Sequence, residues 1–120
     1  MAIKGIAYVF AEVSDLERSK KFYGETLGWK LNTDGKDVAG FAFGNAYLVI
    51  HAGGKERLSG GASMYVEAQV DDVNAEHARL KGLGVDVSNL VDQHWGERNF
   101  SFHDPDGHTW FYGQTTHVHS

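Results

Sequence analysis

Hydrophobic and polar positions alternate with period two near the N-terminus. Tyr8, Phe10 and Glu12 fall on one face, and Val9, Ala11 and Val13 on the other. That pattern predicts a strand. The period then changes. Leu16, Phe22/Tyr23 and Leu27 recur at helical spacing and predict an apolar stripe that Gly28 ends. Ser14 and Glu17 have the S-x-x-E spacing of a capping box, which predicts a helix starting near Asp15. Three further strands are predicted near Lys30–Asn32, Val38–Phe43 and Ala46–His51, with Gly44-Asn45 as the hairpin turn.

The same order occurs twice. Tyr8-Val9-Phe10-Ala11-Glu12-Val13-Ser14-Asp15-Leu16 matches Tyr65-Val66-Glu67-Ala68-Gln69-Val70-Asp71-Asp72-Val73 at five of nine positions, at an offset of 57. Leu27-Gly28-Trp29 corresponds to Leu83-Gly84-Val85, and Phe41-Ala42-Phe43 to Phe100-Ser101-Phe102. A repeat of this kind organises a whole fold. In the second copy Asp71 or Asp72 caps the helix, and Val73, His77 and Leu80 line its stripe. Strands follow near Asp86–Asn89, Arg98–His103 and His108–Gly113, and Asp104-Pro105-Asp106-Gly107 is a turn. The prediction is an α+β fold of two tandem βαβββ modules. Module one spans 1–52, a Gly-rich linker 53–61, module two 62–114 and a C-terminal tail 115–120.

Composition narrows the function classes. The 120 residues carry 11 Lys and Arg against 16 Asp and Glu, a formal net charge of −5. A nucleic-acid partner is not expected, because such proteins present a basic face. With no Cys there is no disulfide framework, thiol nucleophile or Cys-based metal site. No apolar run approaches the ~20 residues of a membrane span. The N-terminus lacks the apolar core of a signal peptide, so a cytoplasmic protein is expected. No dinucleotide fingerprint, phosphate loop, nucleophile elbow or H-E-x-x-H motif occurs, and no cofactor is expected.

Two segments carry a resemblance. They are Val13-Ser14-Asp15-Leu16-Glu17-Arg18-Ser19-Lys20-Lys21-Phe22-Tyr23 with Leu27-Gly28-Trp29, and Trp95-Gly96-Glu97-Arg98 through Asp104-Pro105-Asp106-Gly107-His108. With two βαβββ modules, these motifs resemble the vicinal oxygen chelate superfamily. It includes glyoxalase I, extradiol dioxygenases, fosfomycin resistance proteins and bleomycin resistance proteins. The resemblance implies curved sheets around a cavity, helices outside, and a homodimer. It does not fix the chemistry, because one fold hosts several.

Metal-using members of that superfamily place two ligands per module. The matching positions here are Tyr8, Val49, Tyr65 and Phe111. Val and Phe have no donor atom, and Tyr is an unusual ligand for a divalent ion. In this the chain resembles metal-free bleomycin-resistance-like members, so no metal is expected.

The strand alternation selects the remaining candidates. Tyr8, Phe10, Tyr65 and Phe111 fall on the cavity face, and Phe41, Phe43 and Trp95 are candidates to join them. Aromatic walls bind planar or apolar ligands; the same rings could equally fill the cavity as core. Glu12, Glu67 and Gln69 share that face and could accept hydrogen bonds from a cationic ligand or face water. His51 has the parity of Val49 and could act as a base or a donor. His103 and His108 flank the Asp-Pro-Asp-Gly turn, and His117 and His119 form a terminal H-x-H. The expected function is binding of a small aromatic or cationic molecule, as in antibiotic sequestration. The alternative is a lyase, isomerase or dioxygenase of the same superfamily.

Overall fold

The computed structural model describes residues 6–52 and 66–115. The chain splits into two compact units between positions 60 and 61. Each unit is a four-stranded sheet with its helix packed on one face.

The first unit runs β1 (Tyr8–Val13), α1 (Leu16–Lys21), a π-helical turn (Phe22–Thr26), β2 (Lys30–Asp34), β3 (Val38–Phe43) and β4 (Ala46–Ala52). Its sheet order is β1-β4-β3-β2. β1 is parallel to β4, with Tyr8 opposite Tyr47 and Phe10 opposite Val49. β3 and β4 form the antiparallel hairpin that Gly44 turns at φ 56°. α1 packs on β3 and β4.

The second unit repeats this with β5 (Val66–Gln69), α2 (Val73–Gly82), β6 (Val91–Gln93), β7 (Glu97–His103) and β8 (Thr109–Thr115). The order is β5-β8-β7-β6, with β5 parallel to β8. α2 packs on β7 and β8. The two tandem modules are as the alternation predicts; the linker and the tail beyond Thr115 lie outside the described residues.

Local details correct three expectations. The cap of α1 is Asp15, not Ser14: the Asp15 carboxylate accepts from the Arg18 amide at 3.1 Å. Ser14 instead accepts from the Arg18 guanidinium at 3.3 Å. α1 also does not run unbroken to Leu27. Its last turn widens, and the Leu27 amide donates to the Phe22 carbonyl five residues back at 2.9 Å. Finally, residues 86–89 form no strand. Val87 makes one isolated bridge to Phe102, and the Ser88 hydroxyl takes the Ser101 amide at 2.8 Å that a continuing ladder would use. The fourth strand of this sheet is β6, further on.

The buried positions explain why each helix sits where it does. Tyr23, Leu27, Phe41, Leu48 and Ile50 close the first core, and Val73, Leu80, Phe100, Phe102, Trp110 and Tyr112 the second. Trp29 packs on Tyr23, ring centres 5.4 Å apart. His77 sits edge-on to Phe100 at 5.0 Å, its Nε2 2.8 Å from the Ser88 carbonyl oxygen. This is a packing histidine.

α2 has two N-terminal partners. Asp72 accepts from the Ala75 amide at 3.0 Å, and the Gln114 side chain on β8 accepts from the Val73 amide at 2.8 Å. Both satisfy donors that a helix start leaves unpaired. Gln114→Leu strands a part-buried amide and is expected to cost about 1–2 kcal/mol. Urea denaturation would check this; an unchanged midpoint would mean that water replaces the side chain without loss.

Candidate functional site

Strand register decides which side chains stand together. On the face of the first sheet opposite α1 stand Tyr8, Phe10 and Glu12 from β1. Tyr47, Val49 and His51 from β4 stand beside them. Tyr8 lies 5.8 Å from Phe10 and 6.1 Å from Tyr47, ring centre to ring centre. The three rings form a continuous aromatic surface. Phe10 is 72% exposed, and Tyr8 and Tyr47 are also exposed. Glu12 and His51 are register partners beside it.

Val38 of β3, the partner of His51, stands on this face too, as do Lys30 and Thr33 of β2, the partners of Ala42 and Gly40. Gly40 and Ala42 of β3 are the partners of Val49 and Tyr47. Gly40 is buried and Ala42 half-buried there. A methyl group on Gly40 would meet Asn32 and Thr33 atoms at 3.2 and 3.3 Å, so β2 closes tightly over that position.

The second sheet carries a different surface. Glu67, Phe111, Asn99, Glu97 and Gln93 share the face opposite α2. Asn99 is buried, and its Nδ2 donates to Glu67 Oε1 at 3.1 Å and Glu97 Oε1 at 2.9 Å. Gln93 Nε2 donates to Asn99 Oδ1 at 3.0 Å. Burial pushes the Glu67 carboxyl above its ordinary range; the neighbouring Glu97 carboxyl adds to this and the Asn99 amide opposes it. On the opposite face Arg98 grips Asp92 through Nε and Nη2 at 2.7 and 3.1 Å and holds that carboxyl below its ordinary range.

The other candidates are spread out. Phe43 stands on the α1 face instead, stacked on Trp29 at 5.3 Å with the ring planes 17° apart. Phe41 lies on that face too, fully buried against Tyr23. Trp95 is an exposed residue of the β6–β7 turn, edge-on to His94 at 4.9 Å. Tyr65, His117 and His119 lie outside the described residues. The Asp-Pro-Asp-Gly turn is structural: Asp104 Oδ1 accepts from the Asp106 and His108 amides at 3.0 and 2.8 Å. His103 Nδ1 is 3.1 Å from the Thr109 hydroxyl.

Sequence reasoning misses Tyr47, Glu97, Asn99 and Gln93. The signal for Tyr47 is present, since the alternation that places Val49 and His51 on this face also places Tyr47 there. Asn99 has the parity of Ser101, but nothing in the sequence says it joins two carboxyls.

The metal-ligand positions implied by the resemblance can be tested on chemistry. Val49 is the partner of Phe10, and Phe111 the partner of Glu67, the same place in each repeat. Neither side chain offers a lone pair, so this donor set does not fit a divalent cation. Among the described residues no three His, Asp or Glu side chains converge on one point, and no helix is long and apolar enough to cross a membrane.

Comparison with known proteins agrees with this fold. The family model described as Glyoxalase/Bleomycin resistance protein/Dioxygenase superfamily matches residues 5–112. TnmS3, an antibiotic binding protein from Streptomyces sp. CB03234, is 32% identical. The match covers 96% of this chain and 98% of that one, with a TM-score of 0.82. A glyoxalase/bleomycin resistance protein from Streptomyces sp. CB03234 is 30% identical over 92% of this chain and all of its own, at a TM-score of 0.75. Lactoylglutathione lyase from Agrobacterium tumefaciens shares the fold at 17% identity, covering 94% of this chain and 95% of that one, with a TM-score of 0.78. With two βαβββ modules and a family match over nearly its whole length, this chain belongs to the glyoxalase/bleomycin resistance protein/dioxygenase superfamily.

Proposed function

We propose that the protein binds a planar aromatic small molecule of the kind found among antibiotics, and holds it without changing it. The carrying observation is the surface of Tyr8, Phe10 and Tyr47, three adjacent rings on one sheet face. Large apolar rings left in contact with water mark a binding surface, and ring faces bind other ring faces by offset stacking and area burial. Glu12 and His51 stand at its margin, where they can answer polar or cationic groups of a ligand. The likeness to an antibiotic binding protein at 32% identity supports the same class of ligand.

Sequestration needs no reacting group. Bound ligand is withdrawn from its target by mass action alone. The poor fit of Tyr8, Val49 and Phe111 to a metal agrees with a site that does no metal chemistry. The proposal includes a metal-free site, a cytoplasmic location and a homodimer, the assembly that the resemblance implies.

The test is equilibrium dialysis against a panel of planar polycyclic antibiotics, with the bound compound re-extracted and its mass measured. Saturable binding at micromolar Kd or tighter, about −8 kcal/mol or better, with unchanged mass, is expected. No binding by any planar compound would refute the reading. An altered mass would replace it with an enzymatic one.

A further inference from the structure

One strand separates two carboxyl-bearing positions on the second sheet. Glu67 stands on β5 and Glu97 on β7, with β8 between them. Adjacent strands lie ~4.8 Å apart, so the Glu67 side chain must reach over β8 to meet anything on β7. It does so across Gly113. A methyl group at Gly113 would lie 2.9 Å from Glu67 Cδ and 3.0 Å from both carboxyl oxygens. The carboxyl therefore rests on bare backbone.

Beyond Gly113 the two carboxyls meet on one neutral donor. Asn99 Nδ2 carries two hydrogens, and Glu67 and Glu97 each accept from it. Gln93 holds the other end of the amide and so fixes which way it points. Asn99 is 5% exposed, while Glu97 is half-buried and Glu67 stands at the exposed side of the junction.

The charges on this face are unbalanced. From β5 it receives Glu67 and the neutral Gln69, from β6 Val91 and Gln93, and from β8 Thr109, Phe111, Gly113 and Thr115. From β7 it receives Glu97, Asn99, Ser101 and His103, whose ring is engaged with Thr109 at the far end. Among the described residues of this sheet no Lys or Arg stands on this face. Arg98 points to the other face and is taken by Asp92. Two ionised carboxylates converging on one amide repel each other, and one proton between them removes the repulsion.

We propose that Glu67 and Glu97 hold one proton between them, and that this proton is a pH-sensitive clasp tying β5 to β7 over Gly113. The upward shift of the Glu67 carboxyl agrees with this. The sign follows from linkage. A carboxyl whose pKa is raised on folding binds its proton more tightly in the folded chain. Its contribution is complete below the ordinary carboxylate range and is lost as pH rises through the raised value.

The experiment is a carbon-13 titration of the Glu carboxyls by NMR in the full chain, with Glu97→Gln and Gly113→Ala as variants. Glu67 is expected to titrate above the ordinary carboxylate range, and its midpoint should fall in both variants. The first variant removes the partner charge; the second moves the Glu67 carboxyl off the strand and alters no charge. Burial acting alone would raise Glu67 without Glu97, so a midpoint unmoved by Glu97→Gln overturns the proposal. An ordinary midpoint in the unaltered protein also overturns it. Thermal unfolding supplies a second readout. Glu67→Gln is a permanently neutral stand-in, so its Tm relative to the parent should rise between pH 4.5 and 8. A difference that stays flat over that range would count against the clasp.

Discussion

Phe10→Ala is expected to weaken binding of a planar aromatic ligand by about 10- to 100-fold. That is the ~1.5–3 kcal/mol associated with burying one aromatic side chain. Phe10 is the most exposed ring of the surface, so its truncation removes contact area from the ligand and almost none from the core. The Tm of the free protein should therefore hardly move, as for most surface changes. Phe43→Ala is the matched control. Its ring is stacked on Trp29 on the α1 side of the sheet, so its loss should lower stability and spare affinity. Binding isotherms and unfolding curves on both variants separate the two faces. If Phe43→Ala cost more affinity than Phe10→Ala, the ligand would belong elsewhere.

Tyr23→Ala is expected to cost about 3–5 kcal/mol of folding stability, the range for truncating a large buried aromatic. Tyr23 is fully buried, and its ring centre lies 5.3 Å from Phe22, 5.4 Å from Trp29 and 5.8 Å from Phe41. It joins the helical segment to the sheet through several rings at once, so the vacated volume cannot collapse onto one neighbour. Domains of this size have only ~5–15 kcal/mol in total, so the variant should sit close to unfolding. Urea denaturation with an unchanged slope would read the loss directly. A loss below 1 kcal/mol would show that the cluster repacks around the gap.

Much of this architecture is legible in the residues because two periods agree. The repeat supplies the topology, and strand alternation supplies the faces. Together they locate Val49 and Phe111 at equivalent places, which the ladder register reproduces. The failures have local causes. Phe43 belongs to Val38-Ala39-Gly40-Phe41-Ala42-Phe43, a strand with no polar residue to mark its outer face. Residues 86–89 read as a strand, but only Val87 bridges to Phe102 and the Ser88 hydroxyl competes with the ladder there. Tyr8 illustrates the opposite case. Its face follows from alternation, yet its exposure depends on what stands opposite, which alternation does not encode. The Glu67–Asn99–Glu97 junction requires side chains from two non-adjacent strands over a glycine, and no single stretch of sequence contains it.

The strand order also dictates a sequence of events during folding. β3 and β4 are joined by a short hairpin turn, as β7 and β8 are by the Asp-Pro-Asp-Gly turn, so each pair can zip from its turn outward. β1 and β5 pair parallel with the last strand of their own unit, and every intervening residue must be looped out before their ladders close. The hairpins thus form early, and β1 and β5 dock late, at one border of each sheet. The strand that carries Tyr8 and Phe10 and the strand that carries Glu67 are the last to arrive. In a nascent chain the ring surface is therefore completed only when its β1 half joins Tyr47 on β4, which is already in place.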